Sequence, residues 1–437
     1  MAEIGRKKEL NKAFFGSSKD ITIPQKPMDQ VIGQDLAVRV AKLACAQKRS
    51  LLLIGPPGVG KSMIARSMAP LLARDQDHQV YIQANPEIVT NPLVLVTDKE
   101  PLPEENDTKA SKDWEFIVKL AMGALCISGI YMGLRHETIL WYIITVLGFT
   151  LLALLLKKIR TVKTESPLIC LIPSTQQAPF IDATGLKAGA LFGDIKHDPW
   201  QTGDKSTPPH KLIVPGAIHR AHGGILFIDE ISSLSLKDQQ FLLTVIQEKQ
   251  SPITGRNPGS SGTMVCTDPI PCDFMLVIAG NEEDMEQIHP ALRSRIQGAG
   301  YEVLMNSTME KSIASKNLLQ QFISQEVAKD GRIPDFSNEG MAEILKEAEK
   351  RSVTGQYTLK LRELGGLIRC AGDLTREKEA KMVSAEEVLQ ALTLKLSIEE
   401  QLAQTNQNDI SVESENLLCP QTAQEHDQSH PSSFPLS

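Results

Sequence analysis

The sequence predicts an α/β fold: a parallel sheet flanked by helices, followed by a small α-helical domain and interrupted by a hairpin of two transmembrane helices. Three observations carry that prediction. Short, wholly apolar runs at 51–54, 225–228 and 274–279 each end in small or polar residues. Strands buried on both faces of a parallel sheet read this way, and their carboxyl ends are where such sheets bind ligands. From 307 to 396 the pattern becomes helical, with S/T-x-x-E capping boxes at Ser307 to Glu310 and Ser384 to Glu387 that would satisfy orphan amides at helix starts. Between the first two strands lie two long apolar stretches joined by four residues.

Residues 1–24 read as an N-terminal segment without the apolar run of a cleaved signal, and the α/β core begins over 25–103. There Leu51 to Ile54 leads directly into Gly55, Pro56, Pro57, Gly58, Val59, Gly60, Lys61 and Ser62, and a helical pattern, MIARSMAPLL, follows. This is the GxxxxGK[ST] loop in its required setting, strand before and helix after. Its glycines let backbone amides curl around phosphates at a helix N-terminus. Lys61 supplies a cation to the β and γ phosphates of ATP, and the Ser62 hydroxyl is a ligand for Mg²⁺.

An insertion is expected over 104–165, with transmembrane helices at 116–134 and 139–156. Stretches of 19 and 18 mostly apolar residues approach the length of about 20 that spans a bilayer. Lys119 lies in the first turn, where it can snorkel, and Trp114, Tyr131, Trp141 and Tyr142 suit interfacial anchoring. Lys109 and Lys112 precede the pair, Lys157, Lys158, Arg160 and Lys163 follow it, and only Arg135 is basic in the turn. The positive-inside rule then puts both flanks in the cytoplasm, so the expected location is the cell membrane, with two spans held in lipid and a cytoplasmic main domain. The stretches 98–115 and 157–180 read as linkers.

The second part of the core is expected over 166–305. The run Ile225 to Ile228 ends in Asp229 and Glu230, carboxylates suited to holding Mg²⁺ and polarising an attacking water, respectively. The run 274–279 ends in Gly280 and Asn281, whose amide can orient that water. An acid pair or an Asn after a strand is by itself often a turn. In this order after a phosphate loop, the three strand ends identify the AAA+ P-loop ATPase family. The helical domain is expected over 306–402 and a disordered acidic tail over 403–437, where the sequence has few aliphatics and no Lys or Arg.

The 437 residues carry a formal net charge of −7, which argues against a dedicated nucleic-acid binder, and no nucleic-acid partner is expected. Seven scattered cysteines without a CxxC pair read as reduced thiols rather than a metal site.

Within the AAA+ family, residues from about 25 to 402 resemble the ATPase part of archaeal-type, membrane-anchored Lon proteases. The segments that carry the resemblance are DQVIGQDLAV (29–38), the loop with its helix (55–65), GALFGDIKHDP (189–199), PGAIHRAHGGILFIDEI (215–231), LLTVIQEKQSPITGR (242–256), IHPALRSRI (288–296) and LKLRELGGLIRCAGD (359–373). The resemblance implies that Asn281 is sensor 1, that Arg295 is an arginine finger reaching a neighbouring subunit, and that Arg362 is sensor 2 on the helical lid. Arg293 is the alternative finger. It also implies a homo-oligomer, a hexameric ring, that pulls protein substrates through a pore, with Leu191 and Phe192 at the gripping position or, alternatively, as ordinary core residues.

The resemblance stops where the family's Ser/Lys protease domain would begin, so the chain is expected to unfold and translocate proteins by ATP hydrolysis without cutting them. A separate protease subunit would then do the cutting; alternatively, the chain is a truncated or frameshifted product of a complete protease gene. The alternatives are a chaperone-type or metal-insertion AAA+ ATPase that remodels a partner, and an ATP-gated scaffold without turnover.

Overall fold

In the computed structural model, five short strands lie side by side and all run parallel: β1 (Leu51–Ile54), β2 (Phe180–Asp182), β3 (Ile225–Asp229), β4 (Met275–Gly280) and β5 (Tyr301–Leu304). Their order across the sheet is β5-β1-β4-β3-β2. Side chains alternate across a strand. Leu51, Leu53, Phe227, Val277 and Val303 therefore meet α1 (Asp35–Gln47) and α2 (Lys61–Met68) on one face. Leu52, Ile54, Leu226, Ile228 and Ile278 face the opposite layer, made from α3 (Ala188–Phe192), α4 (Ala217–Arg220), α5 (Leu236–Glu248) and α6 (Pro290–Ala299). With both faces covered, β1 and the Ile225 to Ile228 part of β3 carry no polar alternation.

The described residues are 16–72, 79–97, 117–124, 126–129, 131, 134–135, 143–151, 153–154, 168–173, 177–196, 207–256, 264–352, 354–396, 398 and 401. The acidic tail from 403 lies outside them. Contacts divide the chain into two units, Gln25–Ser307 in one and the residues on either side of that span in the other.

The expected membrane location is corrected by the helices themselves. No helix among the described residues is long and apolar enough to cross a membrane. Hydropathy measures how apolar a stretch is, but spanning also needs about 20 residues of continuous helix. The two stretches do meet. Gly129 lies so close to Thr145 that any side chain there would clash with it. Trp114, Trp141 and Tyr142 lie outside the described residues, as do all the basic residues that flank the pair, whereas Arg135 of the turn is described.

The expected linker over 157–180 is corrected as well. Ile169–Ile172 is a strand, pairing antiparallel with Gln79–Gln83, which in turn pairs with Leu93–Thr97. Phe180 already belongs to β2.

The second unit contains α7 (Ile313–Asp330), α8 (Asn338–Lys350), α9 (Leu361–Glu377) and α10 (Ala385–Leu394). The Ser384 box forms: its hydroxyl accepts from the Glu386 amide at 3.2 Å while the Glu387 carboxylate accepts from the Ser384 amide at 3.0 Å. The Ser307 box does not form. Thr308 and Met309 pair instead with Thr358 and Tyr357, and α7 starts behind Ser312, whose hydroxyl accepts from the Ser315 amide at 3.0 Å.

Residues 16–24 belong to this helical unit rather than forming a separate segment. The Ser18 hydroxyl donates to Asp335 at 2.8 Å and accepts from the Phe336 amide at 2.9 Å, and its carbonyl accepts from Ser324 at 2.8 Å.

Candidate functional site

The sheet order places the carboxyl ends of β1, β4 and β3 next to one another, so the phosphate loop, Asn281 and the Asp229 and Glu230 pair converge. The loop leaves β1 at Gly55, whose amide donates to the Gly280 carbonyl at 3.1 Å. Gly58 and Gly60 sit at φ 84° and 96°, the left-handed region that side chains resist. Val59 is buried and anchors the turn, while Pro57 faces outward. Gly60 immediately precedes α2, so the first amides of that helix point into the turn.

Lys61 is buried, and its ammonium is held by oxygen atoms. Nζ donates to the Gly55 carbonyl at 2.5 Å, to the Asn281 amide oxygen at 2.9 Å and to the Pro56 carbonyl at 3.4 Å. Lys61 and Asn281, 220 residues apart in sequence, are thus brought into direct contact. Ser62 and Asp229 meet as well, the hydroxyl donating to the carboxylate at 3.1 Å. A hydroxyl and a carboxylate at this separation form an all-oxygen donor set of the kind Mg²⁺ takes, together with phosphate oxygens and water.

Glu230 is exposed and adopts φ 55°, an uncommon conformation for a residue with a side chain, with its amide donating to the Ala279 carbonyl at 3.0 Å. That bond fixes the end of β3 against β4 while the carboxylate stays in solvent. Asp284, which sequence reasoning missed, accepts from the Asn281 amide at 2.7 Å and holds the loop after β4.

The two candidate fingers are distinguished by helix geometry. Arg293 and Arg295 are about 200° apart around α6. Arg293 turns inward, with Nε 3.7 Å from Glu302 on β5, whereas Arg295 is exposed and pairs with no acid among the described residues. Arg362 is exposed in the first turn of α9, in the other unit. Leu191 is fully buried in the core beside α4, and the Phe192 ring packs edge-on against Phe241 with centroids 4.5 Å apart. In this arrangement Leu191 has no free surface with which to grip a substrate.

Sequence reasoning also missed the turn after β2. The Thr184 hydroxyl accepts from the Asp229 amide at 2.9 Å and donates to Asp182 at 2.7 Å. The only signal was a D-x-T turn pattern after an apolar pair, which occurs in many loops. Behind the site, burial pushes the His219 imidazole down to about 4, offset in part by the Ser251 carbonyl. Burial likewise pushes the thiols of Cys45 and Cys272 up to about 11 and about 12, so neither is a ready nucleophile at neutral pH.

Two family models match parts of the chain: "Magnesium chelatase, subunit ChlI" over 27–94 and "Sigma-54 interaction domain" over 210–290. An archaeal Lon protease of Thermococcus kodakarensis is 44% identical over 394 residues, 89% of this chain and 62% of that protein. The archaeal Lon protease of Methanothermobacter thermautotrophicus is also 44% identical, over 89% of this chain and 61% of its own length. The chain thus spans about three fifths of these relatives. A putative Lon protease homolog of Thermoplasma acidophilum is 35% identical and is matched over 90% of its length and 87% of this chain.

Proposed function

The chain belongs to the archaeal-type Lon protease family and has its AAA+ ATPase fold, and from that premise we propose that it is a motor that hydrolyses ATP to unfold and translocate protein substrates. The observation that carries the proposal is the convergence of three strand ends, with Lys61 against Asn281 and Ser62 against Asp229. In this reading Gly55 to Ser62 cradle the triphosphate and Lys61 turns to its β and γ oxygens. Ser62 and Asp229 hold Mg²⁺, which when bound neutralises charge on the phosphates.

Glu230, free in solvent, polarises the attacking water, and Asn281 orients it. Arg295 acts on a neighbouring subunit of a homo-oligomeric ring, the hexamer of the resemblance, since its own chain gives it no acid partner among the described residues. Arg362 is assigned to sensor 2. Peptide-bond cleavage would fall to a protease domain or subunit beyond these residues.

The magnesium chelatase match covers the phosphate loop and its flanks. Loop-type ATPases have these parts in common, so the match does not favour a metal-insertion role.

The test is ATP turnover by the purified chain. Lys61→Ala should abolish both binding and turnover. Glu230→Gln should retain nucleotide binding while turnover falls by about 10²-fold or more, the range typical of losing a general base. A wild-type chain that binds ATP without hydrolysing it would overturn the proposal in favour of a scaffold.

A further inference from the structure

Thr184 stands outside the phosphate loop, yet its hydroxyl is built into the metal-ligand pair. It accepts from the backbone amide of Asp229 at 2.9 Å and donates to the Asp182 carboxylate at 2.7 Å. The same carboxylate oxygen accepts from the Thr184 amide at 3.2 Å, so the hydroxyl is fixed from both sides. The other oxygen of Asp182 lies 3.5 Å from the Arg66 guanidinium. Arg66 is one helical turn beyond Ser62 on α2, and positions four apart share a helix face. Its guanidinium also lies 5.8 Å above the Phe180 ring, which stacks on Phe227 of β3.

The Asp182 and Thr184 turn therefore touches both elements that carry the proposed metal ligands: α2, which bears Ser62, and the end of β3, which bears Asp229. The Arg66 pair is exposed and contributes little by itself. The Thr184 bonds are exposed as well, and what sets them apart is their place: the Asp229 amide is the last of β3 and takes this hydroxyl as its acceptor.

We propose that Thr184 is a positioning residue that sets the Asp229 carboxylate at metal-coordinating distance from Ser62. Asp182 orients the Thr184 hydroxyl. The proposal rests on the ATPase reading above for the identity of the ligand, Mg²⁺ with nucleotide. Thr184 itself touches neither metal nor phosphate. Its removal should weaken the contribution of the metal to nucleotide affinity and leave metal-free nucleotide binding unchanged.

The experiment is titration of the full chain with a fluorescent ATP analogue, once in EDTA and once in excess Mg²⁺. Thr184→Val keeps the shape and removes the hydroxyl, and Thr184→Ser restores it. In EDTA all three proteins should bind alike. The gain in affinity on adding Mg²⁺ should fall about tenfold in Thr184→Val, the effect of one hydrogen bond of ordinary strength, and should return in Thr184→Ser.

An undiminished Mg²⁺ gain in Thr184→Val, a Ser variant as impaired as the Val variant, or a wild-type chain with no Mg²⁺ gain would each overturn the role. If Thr184→Val does not fold, Asp182→Ala supplies the same readout by freeing the hydroxyl from its acceptor. A chain that shows the expected pattern but does not hydrolyse ATP would overturn the motor reading and leave this assignment standing.

Discussion

His219 is wholly buried behind β3, where Nδ1 accepts from the Gly216 amide at 3.2 Å and the Nε2 side bonds the Ser251 carbonyl at 3.1 Å. Both bonds suit the neutral ring with its proton on Nε2, and burial pushes the imidazole from 6.5 down to about 4. The unfolded chain therefore takes up the proton first. The contribution of this histidine to stability is complete above pH 6.5 and is lost as the pH falls from there to about 4. Between pH 7 and pH 5 the loss should be about 2 kcal/mol. Denaturant unfolding of wild type and His219→Gln at both pH values checks this, and an equal acid loss in the two chains would assign it to other groups.

Sequence legibility also differed residue by residue. Lys61, Ser62, Asp229 and Asn281 announce themselves because their chemistry depends on residue type and position after a strand. Thr184 does not, because it meets Asp229 only when the sheet brings two strand ends together, and Asp284 does not, because an acid three residues after an Asn is a pattern that many turns share. Leu191 was ambiguous for the opposite reason: an apolar side chain in a Gly-flanked loop serves equally to grip or to pack, and only its burial separates the two.

At the scale of elements, strands buried on both faces were legible and short ones were not. β1 is Leu51 to Ile54 as read, and β3 extends its apolar run by Asp229. The three residues of β2 carry too little pattern to be seen, and Ile169–Ile172 lay inside a stretch read as linker. Capping boxes are local signals that tertiary pairing overrides, as the pairing of Thr308 with Thr358 overrode the box at Ser307.

Close approach of β2 and β3 gives a prediction at this scale. A Cβ on Gly224 would lie 2.1 Å from the Pro179 carbonyl oxygen and 2.6 Å from the proline ring. The Ile225 amide donates to that same carbonyl at 2.8 Å, so the backbone cannot retreat without losing the first bond between these strands. Gly224→Ala should cost about 1–3 kcal/mol, the range for overpacking. A melting temperature equal to wild type would show that the strands can part at this point.

For the whole molecule, the consequence of α6 is that the nucleotide unit presents at its surface the Arg295 guanidinium, which pairs with no acid among the described residues, while its neighbour Arg293 is engaged with Glu302. If Arg295 completes a site on another copy, turnover per chain should rise with protein concentration. Arg295→Ala should be inactive alone, as should Lys61→Ala. Mixing the two should restore turnover, because the first supplies an intact phosphate loop and the second an intact finger. A mixture no more active than its components would place Arg295 outside the reaction. The family resemblance points to this arginine in the sequence with Arg293 as the alternative, and α6 turns the two to different sides.

Ser18 and Asp335 are bonded across 317 positions of sequence. During synthesis the segment that carries Ser18 leaves the ribosome near the beginning and has no partner until α7 and the residues after it emerge. The nucleotide unit between them is complete by Ser307 and can fold meanwhile, as domains generally do in order of synthesis. Closing a long loop costs only slowly more with length, and a folded insert brings its ends under control before the closure occurs. The first described residues of the chain are thus among the last to be placed, so the helical unit cannot assemble fully on a nascent chain that stops short of α7.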